Sequence, residues 1–400
     1  MHALPYWRLS GYYFFYFAFI GGFSPYFGLY LQERAFSAWD IGVLMSQMQL
    51  MRVFAPYLWG TLADRCQHPV RIVRLASLLS LIGFLIFFFA RDFLSMLLAM
   101  AVLAFFWSAA LPLVETITFV HLRENPARYS RIRLWGSIGF IVAVMATGAL
   151  LDRIPLSGLL WVLFATLAGI ALCALALPTT PTREDAGEAQ PIGYILRQPQ
   201  VRALLVACFA MAAAHGALYV FYSIYLSAHQ YSKWLVGCLW SLGVIAEIVV
   251  FYHMADLLRR FSLRTILLAC FAAAVVRFLI IGWGVAWLWL LVLAQLLHGL
   301  TFGAYHAASV AAINRWFPGR CQGRGQALYS SLSFGAGGLL GSVLSGWTWE
   351  LLGPAPTYAL SSLLALAGLL CVALWISDRT ADLAVAYHSQ TMADRRDVDL

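Results

Sequence analysis

Charged side chains are scarce in this 400-residue sequence. They make up 11% of it, against 62% hydrophobic residues, and the mean hydropathy is +0.79. A soluble domain carries about 25% charged residues. One protein interior cannot hide this much apolar surface from water, so we expect lipid to surround most of the chain. The composition argues against a soluble enzyme.

Lysine is almost missing, since Lys233 is the only one among 26 basic residues. The arginines lie in short clusters between apolar runs, a pattern typical of loops that face anionic lipid. The sequence lacks a soluble domain with a basic stripe or an aromatic platform, so we expect no nucleic-acid partner despite a formal net charge of +8.

Paired cysteines and common catalytic motifs are also missing. The seven cysteines are scattered without a CxxC pair, which argues against a disulfide framework or a zinc site. There is no nucleophile elbow, metal-ligand cluster or phosphate loop. We therefore expect neither enzymatic activity nor a cofactor. The apolar run 12–31 is too long for a signal peptide and predicts a first spanning helix.

Apolar runs of membrane-spanning length, about 20 residues each, follow one another along the chain. They predict twelve transmembrane helices, at 9–31, 38–60, 71–90, 93–120, 134–151, 155–177, 201–226, 234–256, 264–283, 286–313, 325–350 and 355–377. With the N-terminus inside, 20 basic residues fall in cytoplasmic segments and four in outer ones. This bias predicts that both termini are cytoplasmic.

A proline-rich polar segment near the middle divides the chain. We predict an N-terminal six-helix bundle at 1–177, a cytoplasmic linker at 178–200, a C-terminal six-helix bundle at 201–377 and a polar cytoplasmic tail at 378–400.

The two halves repeat each other at an offset of 195 residues. Six residues recur identically, namely Tyr30, Leu31, Ser37, Trp39, Gly42 and Leu44 as Tyr225, Leu226, Ser232, Trp234, Gly237 and Leu239. Duplicated parallel halves predict the all-α major facilitator fold, with two pseudo-symmetric bundles and a substrate site near the midplane. At the same offset Arg52 matches Glu247, so we expect both to face the shared interior.

The segment Gly60-Thr61-Leu62-Ala63-Asp64-Arg65 resembles the signature loop of the major facilitator superfamily. In that superfamily the aspartate is thought to hold one conformational state through a neighbouring helix end. The resemblance implies a conformational-switch loop that contains Gly60, Asp64 and Arg65. An ordinary charged loop is the alternative.

Longer stretches resemble the phenylpropionate permease family, at 129–140, 237–247, 276–278 and 298–302. This resemblance implies a bacterial inner-membrane symporter that imports protons with a small organic anion, such as 3-phenylpropionate or a related aromatic acid. The alternatives are a sugar or nucleoside symporter, or a drug or metabolite exporter of the same superfamily. We expect protons, a small-molecule substrate and the lipid bilayer as partners of a monomer.

Lactose permease, a distant relative of that family, carries acids in helices four and eight, an arginine in helix nine and a histidine in helix ten. Glu115, Glu247, Arg277 and His298 occupy comparable helices here. Lactose permease also has a glutamate three residues after its histidine, where this chain has Thr301. Its proton site therefore cannot simply be transferred to helix ten.

Four full charges lie deep in the predicted spans: Arg52, Glu115, Glu247 and Arg277. A charge at the centre of a span costs about 2.5–3.5 kcal/mol, so we expect these to be paired or functional. Glu247 is the predicted proton carrier and Arg277 its counter-charge, with a static ion pair as the alternative. Glu115 is a further proton-coupling candidate, or else a structural partner of Arg131 or Arg133.

Arg52 and the nearby Gln49 are predicted to bind the substrate, because a guanidinium fork matches a carboxylate. A salt bridge between the halves, formed with Glu247, is the alternative for Arg52. His298, Thr301 and Tyr305 share one helical face, as do His215 and Tyr219.

Helices seven and ten line the cavity in this superfamily. We therefore predict that His215, Tyr219, Thr301 and Tyr305 contact substrate and that His298 contributes to proton coupling. Packing roles are the alternative for the two histidines.

Overall fold

The structure, a computed structural model, describes residues 5–66, 68–122, 128–178 and 192–377. These residues form twelve long helices and no strand: α1 (Tyr6–Glu33), α2 (Ala38–Cys66), α3 (Pro69–Phe88), α4 (Phe93–His121), α5 (Tyr129–Leu151), α6 (Leu156–Ala176), α7 (Pro199–Ala228), α8 (Lys233–Arg260), α9 (Leu263–Gly284), α10 (Leu288–Trp316), α11 (Gln322–Leu352) and α12 (Pro354–Trp375). A short helical turn, Gly193–Leu196, precedes α7.

Eleven of these helices are long and apolar enough to cross a membrane. The twelfth, α2, has comparable length but carries Gln47, Gln49 and Arg52 in its interior. The twelve-helix architecture expected from the sequence is confirmed. Residues 179–191 of the predicted linker and the predicted tail 378–400 lie outside the described residues.

The predicted switch loop is helical rather than a loop, because α2 continues to Cys66. Polar residues alone do not end a helix, and the hydroxyl of Thr61 donates to the carbonyl oxygen of Tyr57 at 2.9 Å within the same helix. Gly60 and the exposed Arg65 therefore lie on the last turns of α2. The side-chain contact predicted for Asp64 lies outside what the structure describes.

The sequence repeat is also a structural repeat. Helix α1 ends at Glu33 and α7 ends at Ala228, and both are followed by a non-glycine residue with positive φ, Ala35 (62°) and Gln230 (65°). The two helix ends, and the two residues with positive φ, are each 195 residues apart, which is the offset of the sequence repeat. The left-handed conformation is unfavourable for a residue with a Cβ. Its recurrence at matching positions supports duplication.

Among the described residues the halves meet mainly along three helix pairs, α1 with α7, α2 with α11 and α5 with α8. The last two pairs correspond under the pseudo-two-fold axis. Close approach in the α2–α11 pair depends on Gly42, because a Cβ there would lie 2.8 Å from both Cα of Gly346 and the carbonyl oxygen of Ser342.

Three helices are irregular near the middle of the molecule. Helix α7 is interrupted at His215, and π-helical turns occur at Gly299–Ala304 in α10 and Ser331–Gly337 in α11. Such π-turns occur often at functional sites. The sequence does not predict these irregularities, and all three contribute residues to the cavity lining.

Candidate functional site

A cavity lies between the two halves. Helix α2 contributes Gln49 and Arg52, and α7, α10 and α11 contribute the rest of its wall: Met211, Ala212, His215, Gly216, Tyr219, Thr301, Phe302, Tyr305, Phe334, Gly338 and Ser342. All six residues predicted to contact substrate are in this wall. Their binding role stays a prediction, but the structure brings them together.

Arg52 gives the cavity a fixed positive charge. Its side chain is half-buried, and no hydrogen bond or ion pair joins it to another described residue. The lining contains no carboxylate that could neutralise it. The salt bridge with Glu247, considered from the sequence, is not formed, because the Glu247 carboxylate contacts His298. An anionic ligand could therefore pair with Arg52 without displacing a protein partner.

Arg277 of α9 is fully buried behind this wall. Its Nε donates to the carbonyl oxygen of Ala294 at 2.8 Å, and one terminal nitrogen donates to Oγ1 of Thr301 at 3.0 Å. The other terminal nitrogen is 3.5 Å from Oε1 of Gln295. Neutral oxygens thus solvate the guanidinium, which in turn fixes Thr301 at the cavity.

The protonation state of His215 follows from its two partners. Its Nδ1 lies 2.8 Å from the carbonyl oxygen of Met211, which can only accept a hydrogen bond. Its Nε2 lies 3.3 Å from a terminal nitrogen of Arg277, which can only donate. His215 is therefore neutral with its proton on Nδ1, and a second proton would face a guanidinium. This geometry suits orientation of the wall rather than proton uptake.

Glu247 and His298 form the closest acid–base pair of the interior, with Oε1 2.7 Å from Nε2. The structure places His298, rather than Arg277, in direct contact with the predicted proton carrier. Nδ1 of His298 is buried and has no partner among the described residues. A charged imidazole would leave a buried N–H unpaired there, so the pair favours neutral His298 beside a carboxyl group that can gain or lose one proton.

This pair lies one side chain away from the cavity. Phe302, which lines the cavity, stacks on His298 with ring centroids 5.5 Å apart. The ring centroid of His215, also in the cavity wall, lies 6.1 Å from that of His298. A proton on Glu247 and a ligand in the cavity would therefore be near neighbours. Phe302 is not among the residues predicted from the sequence. It lies beside Thr301 in the π-helical turn Gly299–Ala304 and lines the cavity there.

Close packing of α8 on α10 creates the Glu247–His298 contact. Gly299 is the residue that permits it, because a Cβ at this position would lie 2.8 Å from the carbonyl oxygen of Ala246. Helix α8 can thus bring Glu247 within hydrogen-bond distance of a histidine on the neighbouring helix.

We expect Gly299→Ala to push α8 and α10 apart and to destabilise the protein by about 1–3 kcal/mol, as overpacking usually does. Thermal unfolding and uptake by the purified, reconstituted protein measure the effect. Gly323→Ala is the matched control, since a Cβ there meets no atom within 4 Å. Equal stability and uptake in the two variants would contradict this account of the contact.

Glu115 lies in the N-terminal half, apart from this cluster. Its Oε1 accepts a hydrogen bond from the hydroxyl of Tyr129 at 3.3 Å, a partner not predicted from the sequence. Among the described residues neither Arg131 nor Arg133 forms an ion pair with it. Arg133 instead lies over the ring of Phe17, 3.9 Å from its centroid.

Comparison with known proteins agrees with the fold. The model of the MFS_1 like family matches residues 6–360. A probable 3-phenylpropionic acid transporter from Escherichia coli K12 is 31% identical over 359 residues, covering 87% of this chain and 92% of the relative. A maltose permease from Geobacillus stearothermophilus is 28% identical over 92% of this chain and 94% of its own length.

Solved structures show the same architecture. A mutant of the nucleoside transporter NupG superposes with a TM-score of 0.81 at 18% identity, over 93% of this chain and 99% of its own. An inward-facing bacterial homologue of the human lysosomal transporter Spinster superposes with a TM-score of 0.67 at 16% identity. The superposition covers 94% of this chain and 98% of the homologue. This multi-pass membrane protein is therefore a secondary transporter rather than an enzyme, and it belongs to the MFS_1-like family of the major facilitator superfamily.

Proposed function

We propose that this transporter imports a small aromatic carboxylate together with protons, by alternating access in a bacterial inner membrane. The observation that carries the proposal is the combination of Arg52, which has no ion-pair partner among the described residues, in an aromatic-lined cavity with the adjacent Glu247–His298 pair. Arg52 offers a site for an anion, and the Glu247–His298 pair offers a group that can exchange a proton.

The cavity wall supports an aromatic acid as substrate. The fork of Arg52 can pair with both oxygens of a carboxylate. The buried Oε1 of Gln49 has no partner among the described residues and can accept a hydrogen bond from a substituent. On the other side of the cavity Tyr219, Phe302 and Phe334 offer ring faces and edges for stacking.

Proton coupling is assigned to Glu247. Arg277 is permanently charged and held by neutral oxygens, so its charge stays constant through the cycle. Glu247 can change charge, and its partner His298 lies beside Phe302 in the cavity wall. A carboxylate bound at Arg52 would add negative charge near Glu247 and so favour its protonated form. Binding of the anion and of the proton would thus reinforce each other.

A sugar or nucleoside is the second candidate substrate, favoured by the maltose permease and the nucleoside permeases among the relatives. Such neutral substrates depend on several hydrogen-bonding groups. The uncompensated charge of Arg52 favours the anion instead.

Uptake by proteoliposomes tests the proposal. With an acidic exterior, labelled 3-phenylpropionate should accumulate inside, and a protonophore should abolish the accumulation. Excess unlabelled aromatic acid should compete, whereas maltose and uridine should not. Uptake of maltose or uridine without uptake of the acid would favour a sugar or nucleoside as the substrate. Uptake of the acid that does not depend on the pH gradient would contradict proton coupling.

A further inference from the structure

The sequence repeat includes a feature that substrate binding and proton coupling do not explain. Helices α2 and α8 begin with related sequences, Ser37-Ala38-Trp39 and Ser232-Lys233-Trp234. In both, the serine hydroxyl accepts a hydrogen bond from the N–H three residues later, that of Asp40 at 3.1 Å and that of Leu235 at 3.2 Å. The other N–H groups of a first helical turn have no partner within the helix.

A carboxylate from the opposite half accepts from these N–H groups in both cases. Asp152, at the end of α5, accepts from the backbone N–H groups of Lys233 at 2.8 Å and Trp234 at 2.9 Å. Glu350, in the last turn of α11, accepts from the N–H of Trp39 at 2.7 Å. Because α5 and α2 correspond to α11 and α8, the pseudo-two-fold axis relates one contact to the other.

These contacts lie at the end of the molecule that the arginine distribution assigns to the outside. The hydroxyl of Tyr26 adds a third, donating to the carbonyl oxygen of Lys233 at 3.0 Å. The hydrogen bonds that join the two halves through described residues are all at this end. The outer side cannot open unless they break.

We propose that Asp152 and Glu350 form an outer latch, which holds the outward-facing side closed and sets the population of the outward-open state. Each carboxylate lies at the positive end of a helix dipole, where negative charge is stabilising. Both side chains are partly exposed to solvent, so each contact is weak enough to break in every cycle. The inference rests on alternating access in the proposed function, but not on the substrate or the proton.

Distances between spin labels test the latch. Ser157→Cys and Ala286→Cys place one label on the outer end of each half, in a background without the native cysteines. Without ligand or pH gradient, Asp152→Ala and Glu350→Ala should each raise the ratio of outward-open to closed protein by about two- to five-fold. The double variant should raise it by about four- to twenty-five-fold, because the two contacts are far apart.

Two controls separate the latch from other effects. Asp92→Ala removes another outer carboxylate that caps a helix, but it caps Ser95 of its own half at 3.0 Å, so the ratio should not change. Lys233→Met removes the ammonium 4.0 Å from Asp152 and leaves the backbone N–H groups in place, so its effect should be smaller than that of Asp152→Ala.

An unchanged ratio in the double variant, or an equal change with Asp92→Ala, would overturn the latch. If an alanine variant does not fold, Asp152→Asn and Glu350→Gln keep an acceptor but lose the charge, and the same direction is expected. Because no substrate is present, failure of aromatic-acid transport would leave this result intact. Failure of the latch would likewise leave the uptake experiment intact.

Discussion

Replacing Glu247 with Gln should abolish the accumulation of substrate driven by a pH gradient, while substrate exchange across the membrane continues. The amide has nearly the shape of the carboxyl group and can still contact Nε2 of His298, so the packing of α8 on α10 should persist. It cannot bind or release a proton. A gradient of one pH unit corresponds to about 1.4 kcal/mol, which supports about tenfold accumulation when one proton accompanies each substrate. In the variant the ratio of internal to external substrate concentration should fall to about one.

Two acids provide the comparison for this result. Glu33→Gln changes an exposed acid at the end of α1 and should accumulate substrate normally. Glu115→Gln removes the other interior acid, whose described partner is Tyr129 and not His298. Counterflow and gradient-driven uptake should be measured on the same vesicles. If Glu115→Gln loses accumulation and Glu247→Gln keeps it, the proton site belongs to the N-terminal half.

The sequence predicts the membrane architecture well because its signals are local and strong. Long apolar runs give the helices, and the repeat gives the correspondence between the halves. It also predicts six of the residues that line the cavity. Polar groups such as Arg52 and Thr301 are costly in hydrocarbon and therefore face an interior space, where the structure places them.

The sequence does not reveal which interior groups touch each other. The pairing of Glu247 with His298 depends on how closely α8 approaches α10, and this depends on a glycine and a π-helical turn. The predicted span 38–60 ends before α2 does, for another reason. A drop in hydropathy after Gly60 marks the membrane surface, but a helix can continue beyond that surface into water.

Arg52→Gln should weaken binding of an aromatic carboxylate by about 10- to 100-fold, because a hydrogen bond to a charged group contributes about 1.5–3 kcal/mol. Arg52→Lys should lie between this variant and the native protein, since lysine keeps the charge but lacks the planar fork. Calorimetry on the purified protein at fixed pH measures the affinities. Arg71→Gln, which changes an exposed arginine at the start of α3, should bind like the native protein.

A neutral ligand of the same shape distinguishes charge pairing from packing. 3-Phenylpropionamide keeps the ring and the chain of the acid but carries no charge, so its weak binding should be the same with Arg52 or with glutamine. The loss on substitution should therefore be specific to the acid. Equal losses for acid and amide would show that Arg52 shapes the cavity without pairing with a carboxylate, and the anion would then need another partner. Arg277 could not serve without giving up hydrogen bonds that it already makes to Thr301 and to the backbone of Ala294.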